Sequence, residues 1–209
     1  MSFENISKSV IEGNEKLVVE EVKKMITGNT EPLDIINKGL MDGMNVVGVR
    51  FKNGDMFVPE VLMAAKSMKS GIELVKPLIK EEDIPTIGTL VIGTVKGDLH
   101  DIGKNLVAML LESSGFKVVN LGVDVTPEKF VEAVKENKAS IVAMSAMLTT
   151  TMINMKKVVE ALKEAGLKDE VKIMIGGAPV TTKFAEEIEA DLYTVDASSA
   201  AEEGRRLVS

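Results

Sequence analysis

Along the chain the spacing of apolar residues changes once, near residue 85. Before that point apolar positions recur every three or four residues, the signature of amphipathic helices. One helix is predicted from Ser2 to Ile11, stopped by Gly13, and a second from Glu15 to Thr27, closed by Gly28. Thr30 is placed to cap a third, with Pro32 in its first turn, where a missing N–H costs little. That helix carries Ile35, Ile36, Leu40, Met44 and Val47 on one stripe. The stretch Phe51 to Phe57, with Asn53-Gly54 inside it, reads as a turn. Pro59 opens a fourth helix with Val61, Leu62, Ala65, Met68, Ile72 and Val75 on one face. Antiparallel helices with short connections make a small bundle.

Lys80-Glu81-Glu82-Asp83-Ile84-Pro85 is charged and ends in proline, so it reads as a linker between a domain at 1–83 and a domain at 84–209. Beyond it, β-branched apolar runs alternate with helical stretches. Strands are predicted at 87–95, 117–121, 140–145, 171–175 and 192–195. Helices are predicted at 101–114, from Thr126-Pro127 to about Asn137, from the end of the third strand to about Ala165, near 181–189, and at the C-terminal end. Buried strands alternating with helices predict an α/β, doubly wound, five-stranded parallel sheet of flavodoxin-like size.

Composition narrows the chemistry. Aromatic residues are 3% of the chain and Trp is absent, so the core is aliphatic. The net charge is −7 and no basic stripe is evident, which argues against nucleic-acid binding. With no cysteine, disulfides, thiolate metal sites and Cys nucleophiles are excluded together. No apolar run matches a membrane span and the N-terminus is not a signal peptide, so a cytoplasmic protein is expected.

In an open parallel sheet, ligands bind beyond the carboxyl ends of the strands. The first strand there runs into Lys96-Gly97-Asp98-Leu99-His100-Asp101-Ile102-Gly103, the third into Ser145-Ala146-Met147-Leu148-Thr149-Thr150-Thr151, and the fourth into Gly176-Gly177. His100 is the only histidine. Asp98 can accept its Nδ1 hydrogen, which fixes the tautomer and makes Nε2 the better ligand. One imidazole without further ligands is a poor zinc site, but it suits a metal that brings its own macrocycle. Gly176-Gly177 reads either as a turn requiring positive φ or as bare backbone against a flat ligand. The Thr149–Thr151 run and Asp101 read as helix caps or as site residues.

Asp98-x-His100-x-x-Gly103, then Ser145 after 41 intervening residues, then Gly176-Gly177, resembles the cobalamin-binding signature of corrinoid methyltransferases, D-x-H-x-x-G, S-x-L and G-G. Val46-Val47-Gly48-x-x-Phe51 and Met56-Phe57-Val58-Pro59-Glu60 resemble that family's helical cap. The likeness spans nearly the whole chain and is strongest to stand-alone corrinoid proteins of methylamine and methanol systems. Cobalamin-dependent methionine synthase shares both modules. Met147 departs from the signature's Leu, a change of similar volume.

The resemblance implies a corrinoid cofactor whose cobalt is ligated by His100, with Asp98 bonded to His100. It implies further that Leu99, Asp101, Ile102 and Gly103 lie against the corrin. The nucleotide tail would sit in a slot lined near Ser145, Met147 and Gly176-Gly177, with Leu148 and Thr149 also expected to bind the cofactor. Thr151 would complete the Asp–His relay, and Phe51 and Val58 of the cap would cover the methyl face. No side chain is catalytic in the usual sense, and the chain is not expected to be active alone. It would accept a methyl group from a substrate-specific methyltransferase and deliver it to a second one that uses coenzyme M or tetrahydrofolate. Cobalt would cycle between Co(I) and methyl-Co(III), and a reductive activase would service it; the linker would be the hinge of the cap. The competing readings are an adenosylcobalamin mutase subunit and a cobalamin-sensing regulator. The mutases place a barrel above the corrin, and the regulator needs a DNA-binding module that the N-terminal helices do not resemble.

Overall fold

The computed structural model describes residues 2–79 and 86–208, in two compact units. The linker expected at Lys80 to Pro85 lies outside the described residues.

The first unit is helical. α1 (Phe3–Ile11) begins at Ser2, whose hydroxyl accepts the Glu4 N–H, and α2 (Glu15–Thr27) begins at Asn14, whose side chain accepts the Leu17 N–H. The third expected helix is α3 (Pro32–Asp34), a π-helical stretch (Ile35–Met41) and α4 (Asp42–Lys52) without a break. Its N-cap is Glu31 rather than Thr30; the Thr30 hydroxyl turns instead to the Met25 sulfur. Gly39 and Gly43 face α1, where a Cβ on either would press on Ile6 or on the Ser7 carbonyl. α5 (Val58–Val75) starts one residue before Pro59, with the Phe57 N–H donating to Glu60 Oε2 at 2.8 Å. Ile6, Val18, Val22, Ile35, Leu40, Val47 and Val61 are fully buried, each contributing about 1.5–3 kcal/mol by leaving water.

The second unit is a parallel sheet in the order β2-β1-β3-β4-β5. In chain order its elements are β1 (Gly88–Thr94), α6 (Ile102–Ser113), β2 (Phe116–Asn120), α7 (Pro127–Asn137), β3 (Ile141–Ser145), α8 (Thr149–Glu164), β4 (Lys172–Gly176), α9 (Thr182–Glu187), β5 (Leu192–Tyr193) and α10 (Ala197–Arg206). Alternation along the strands divides the core. Val91, Val142, Met144, Ile173 and Ile175 pack on one face with α7, α8 and α9 around Phe130. Leu90, Ile92, Ile141, Ala143 and Met174 pack on the other with α6 and α10. Both faces are therefore covered, as fully apolar parallel strands require. No helix among the described residues is long and apolar enough to cross a membrane.

Candidate functional site

The strand order reverses between β1 and β3, and that switch point is where an open parallel sheet leaves a crevice. The register aligns Thr94, Ser145 and Gly176 in one row at the carboxyl ends of β1, β3 and β4. The three loops singled out in the sequence leave from this row.

The β1–α6 loop is built around Asp98, which is 1% exposed although the loop is otherwise at the surface. Gly97, at φ +82°, makes the turn that sends Asp98 inward. Asp98 Oδ1 accepts the His100 backbone N–H at 3.1 Å and lies 2.7 Å from His100 Nδ1. Oδ2 accepts the Met147 N–H at 2.7 Å and the Thr151 hydroxyl at 2.6 Å. Burial alone would push the carboxyl up. The bonds from Thr151, Met147 and His100 outweigh it and hold Asp98 well below the usual carboxylate range. A carboxylate can only accept, so Nδ1 carries the hydrogen and the Nε2 lone pair is left free. The His100 side chain is 55% exposed, and its carbonyl accepts the hydroxyl of the buried Thr94 at 2.8 Å. His100 is thus fixed by its N–H, its C=O and its ring, with Nε2 the one unengaged polar atom of the ring.

Beside it lies a cavity of about 650 Å³ between the ends of β1, β3 and β4, α6, and the start of α10. Leu99, His100, Asp101, Ile102, Gly103, Ser145, Met147, Gly176 and Gly177 all line it. Leu99 and Ile102 are 72% and 86% exposed, unusual for apolar side chains. Gly177 has φ +130°, and a Cβ there would collide with the Ala146 carbonyl oxygen, so a side chain is barred from this corner. The reading of the pair as a turn requiring positive φ therefore holds at Gly177.

Thr149 and Leu148 do not line the cavity. Leu148 is the N-cap of α8, and its carbonyl accepts the backbone N–H of Thr151 and Met152. No threonine side chain caps α8. The Asp101 side chain accepts the Asn105 amide at 2.9 Å. In the helical unit, Phe51 is half-buried and Val58 exposed, next to Phe57, which is 69% exposed. The sequence reading missed the Met147 amide and Thr94. A backbone donor has no residue signature, and a strand threonine looks like any β-former.

The donor set fits a corrinoid. A single imidazole presents one free nitrogen, and among the described residues no group of three His, Asp or Glu could hold a metal ion unaided. The adjoining cavity and its bare glycine wall offer room for an appended organic group. The chain belongs to the B12-binding corrinoid proteins: residues 88–204 match the B12 binding domain, and residues 2–76 match a second, N-terminal B12 binding domain model. It is 46% identical over 194 residues to trimethylamine corrinoid protein 2 of Methanosarcina mazei, covering 92% of this chain and 89% of that protein. It is likewise 46% identical over 193 residues to the dimethylamine corrinoid protein of Methanosarcina barkeri, covering 92% and 89%. Among solved structures it resembles the methanol:cobalamin methyltransferase complex MtaBC from Methanosarcina barkeri. The TM-score is 0.92 at 35% identity, over 99% of this chain and 79% of that one. A cobalamin-binding protein from Desulfitobacterium hafniense gives a TM-score of 0.79 at 30% identity over the full length of both.

Proposed function

We propose that His100 is the protein ligand to the cobalt of a bound corrinoid, and that the chain carries a methyl group between two methyltransferase partners. The observation that carries this reading is the Asp98 carboxylate beneath His100, which leaves Nε2 as a free, outward lone pair beside a cavity. When bound, the corrinoid supplies the chemistry, a cobalt that takes up and gives up a methyl group as it cycles between its Co(I) and Co(III) states. The chain's own residues bind and orient. Leu99, Ile102 and Met147 offer apolar surface around His100, and Gly176-Gly177 with Ser145 form the wall against which a nucleotide tail would lie.

Asp98 and Thr151 hold the proton on Nδ1 while Nε2 is engaged. Thr151 Oγ1 lies 2.6 Å from Asp98 and 3.0 Å from the Leu148 carbonyl, so its hydrogen has two acceptors within reach. Phe51 and Val58, in a helical domain at 1–83, are the apolar residues that would cover a bound corrin and exclude water from it.

The relatives' names supply the class of donor, a methylamine or methanol handled by a separate methyltransferase. A second methyltransferase, using coenzyme M or tetrahydrofolate, takes the methyl group, and a reductive activase restores oxidised cobalt. The test is electron paramagnetic resonance of the chain reconstituted with hydroxocobalamin and reduced to cobalt(II). The wild type is expected to show splitting from one axial nitrogen and His100→Ala to lack it. Splitting that persists in His100→Ala overturns the assignment.

A further inference from the structure

Lys104 is an unusual residue for the first turn of α6. It is only 3% exposed, and among the described residues its ammonium meets no carboxylate directly. It donates to Asn105 Oδ1 at 2.6 Å and to Asn120 Oδ1, at the end of β2, at 2.8 Å. Burial pushes its pKa down, and the nearby charge of Asp101 opposes that shift. An apolar side chain at this point would avoid the desolvation cost, so stability alone does not account for a lysine.

What the ammonium joins is informative. Asn120 is the last residue of β2, and its Oδ1 also accepts the Gly122 N–H at 3.0 Å. Asn105, the other acceptor, is tied back to Asp101, side chain to side chain at 2.9 Å and backbone to backbone at 2.7 Å. The same β2–α7 connection grips the other end of the His100 loop. Asp124 donates its N–H to the Asp98 carbonyl at 3.0 Å and accepts the Gly97 N–H at 2.7 Å. The His100 loop is therefore clasped on both flanks by residues 120–124, by Asp124 before the histidine and by the Lys104 cluster after it.

We propose that Lys104 is a positioning residue, pinning the first turn of α6 to Asn120 so that His100, two residues before that helix, presents Nε2 at a fixed place. The inference rests on His100 being the cobalt ligand. A ligand bond to a metal held by a separate macrocycle tolerates only a fraction of an ångström of drift, and loops hold such tolerances only when braced from neighbouring elements.

The experiment uses the full chain, loaded with hydroxocobalamin and reduced to cobalt(II), as wild type, Lys104→Met and Asn120→Ala. The ratio of cobalt(II) without nitrogen splitting to cobalt(II) with it is expected to rise roughly tenfold in either variant, the size of one charge-assisted hydrogen bond. The apo proteins are expected to melt within about 3 °C of the wild type. A folded variant whose ratio is unchanged overturns the proposal, whether or not its melting temperature falls. Should Lys104→Met not fold, Asn120→Ala, altered at an exposed position, decides by the same two outcomes. A wild type without splitting removes the ligation reading itself, and is thereby distinguished from failure of the brace.

Discussion

Replacing Asp98 by Asn tests whether the buried carboxylate organises the site. Four donors converge on it, two at each oxygen: the His100 N–H and Nδ1–H at Oδ1, and the Met147 N–H and Thr151 hydroxyl at Oδ2. An amide keeps one acceptor oxygen and turns the other into a donor. If its NH₂ faces Met147, that N–H loses its partner while the Thr151 hydroxyl rotates to accept. If it faces His100, the ring must move its hydrogen to Nε2, which removes the free lone pair. A buried N–H left without an acceptor costs about 1–3 kcal/mol, and the two surviving bonds lose charge assistance at about 1 kcal/mol each. The expected loss is about 3–5 kcal/mol, large against the ~5–15 kcal/mol of a whole domain. Urea unfolding of the apo protein at pH 7 measures it.

The pH dependence of that loss follows from the direction of the shift. Asp98 is held below its ordinary 3.8, so its contribution is complete above that value and fades as pH falls through it toward the folded-state value. The difference between wild type and Asp98→Asn is expected to stay level from about pH 8 to 5 and to narrow only below about pH 4. A loss under about 1 kcal/mol at pH 7, or a difference that already narrows near pH 6, would refute the reasoning.

Two further substitutions test the surrounding framework. Gly177→Ala combines a positive φ with a Cβ driven into the Ala146 carbonyl, and is expected to cost about 2–4 kcal/mol in chemical denaturation and to weaken retention of hydroxocobalamin on desalting. Phe130→Ala, in the core between β1 and α7, is expected to lower stability by about 3–5 kcal/mol, read by urea midpoint, while any corrinoid-bound fraction that remains folded keeps its axial nitrogen signal.

Most of the secondary structure was legible because local pattern dictates it. α2 and α7 run over the residues that periodicity and capping indicate, and Gly13, Gly28 and Pro127 mark boundaries by backbone chemistry that needs no tertiary partner. The π-helical stretch at Ile35–Met41 was not legible, since a shifted hydrogen-bond ladder uses the same residues as an α-helix. Thr30 failed as a cap for a related reason, because a local preference yields when the hydroxyl finds another partner, here the Met25 sulfur.

At the site, the sequence by itself determined which side chains are the candidates for its chemistry. The lone His100, Asp98 two residues before it, and Gly176-Gly177 are visible from type and spacing. The tertiary structure decided what Asp98 is, because its two remaining donors come from Met147 and Thr151, 49 and 53 residues away, brought beside it only by the pairing of β1 with β3. It likewise decided that Lys104 is buried against Asn120 and that Thr94 holds the His100 carbonyl. Burial and long-range hydrogen bonds belong to the packed sheet rather than to any window of the chain, and these two quantities set the charge on a carboxylate and the aim of an imidazole.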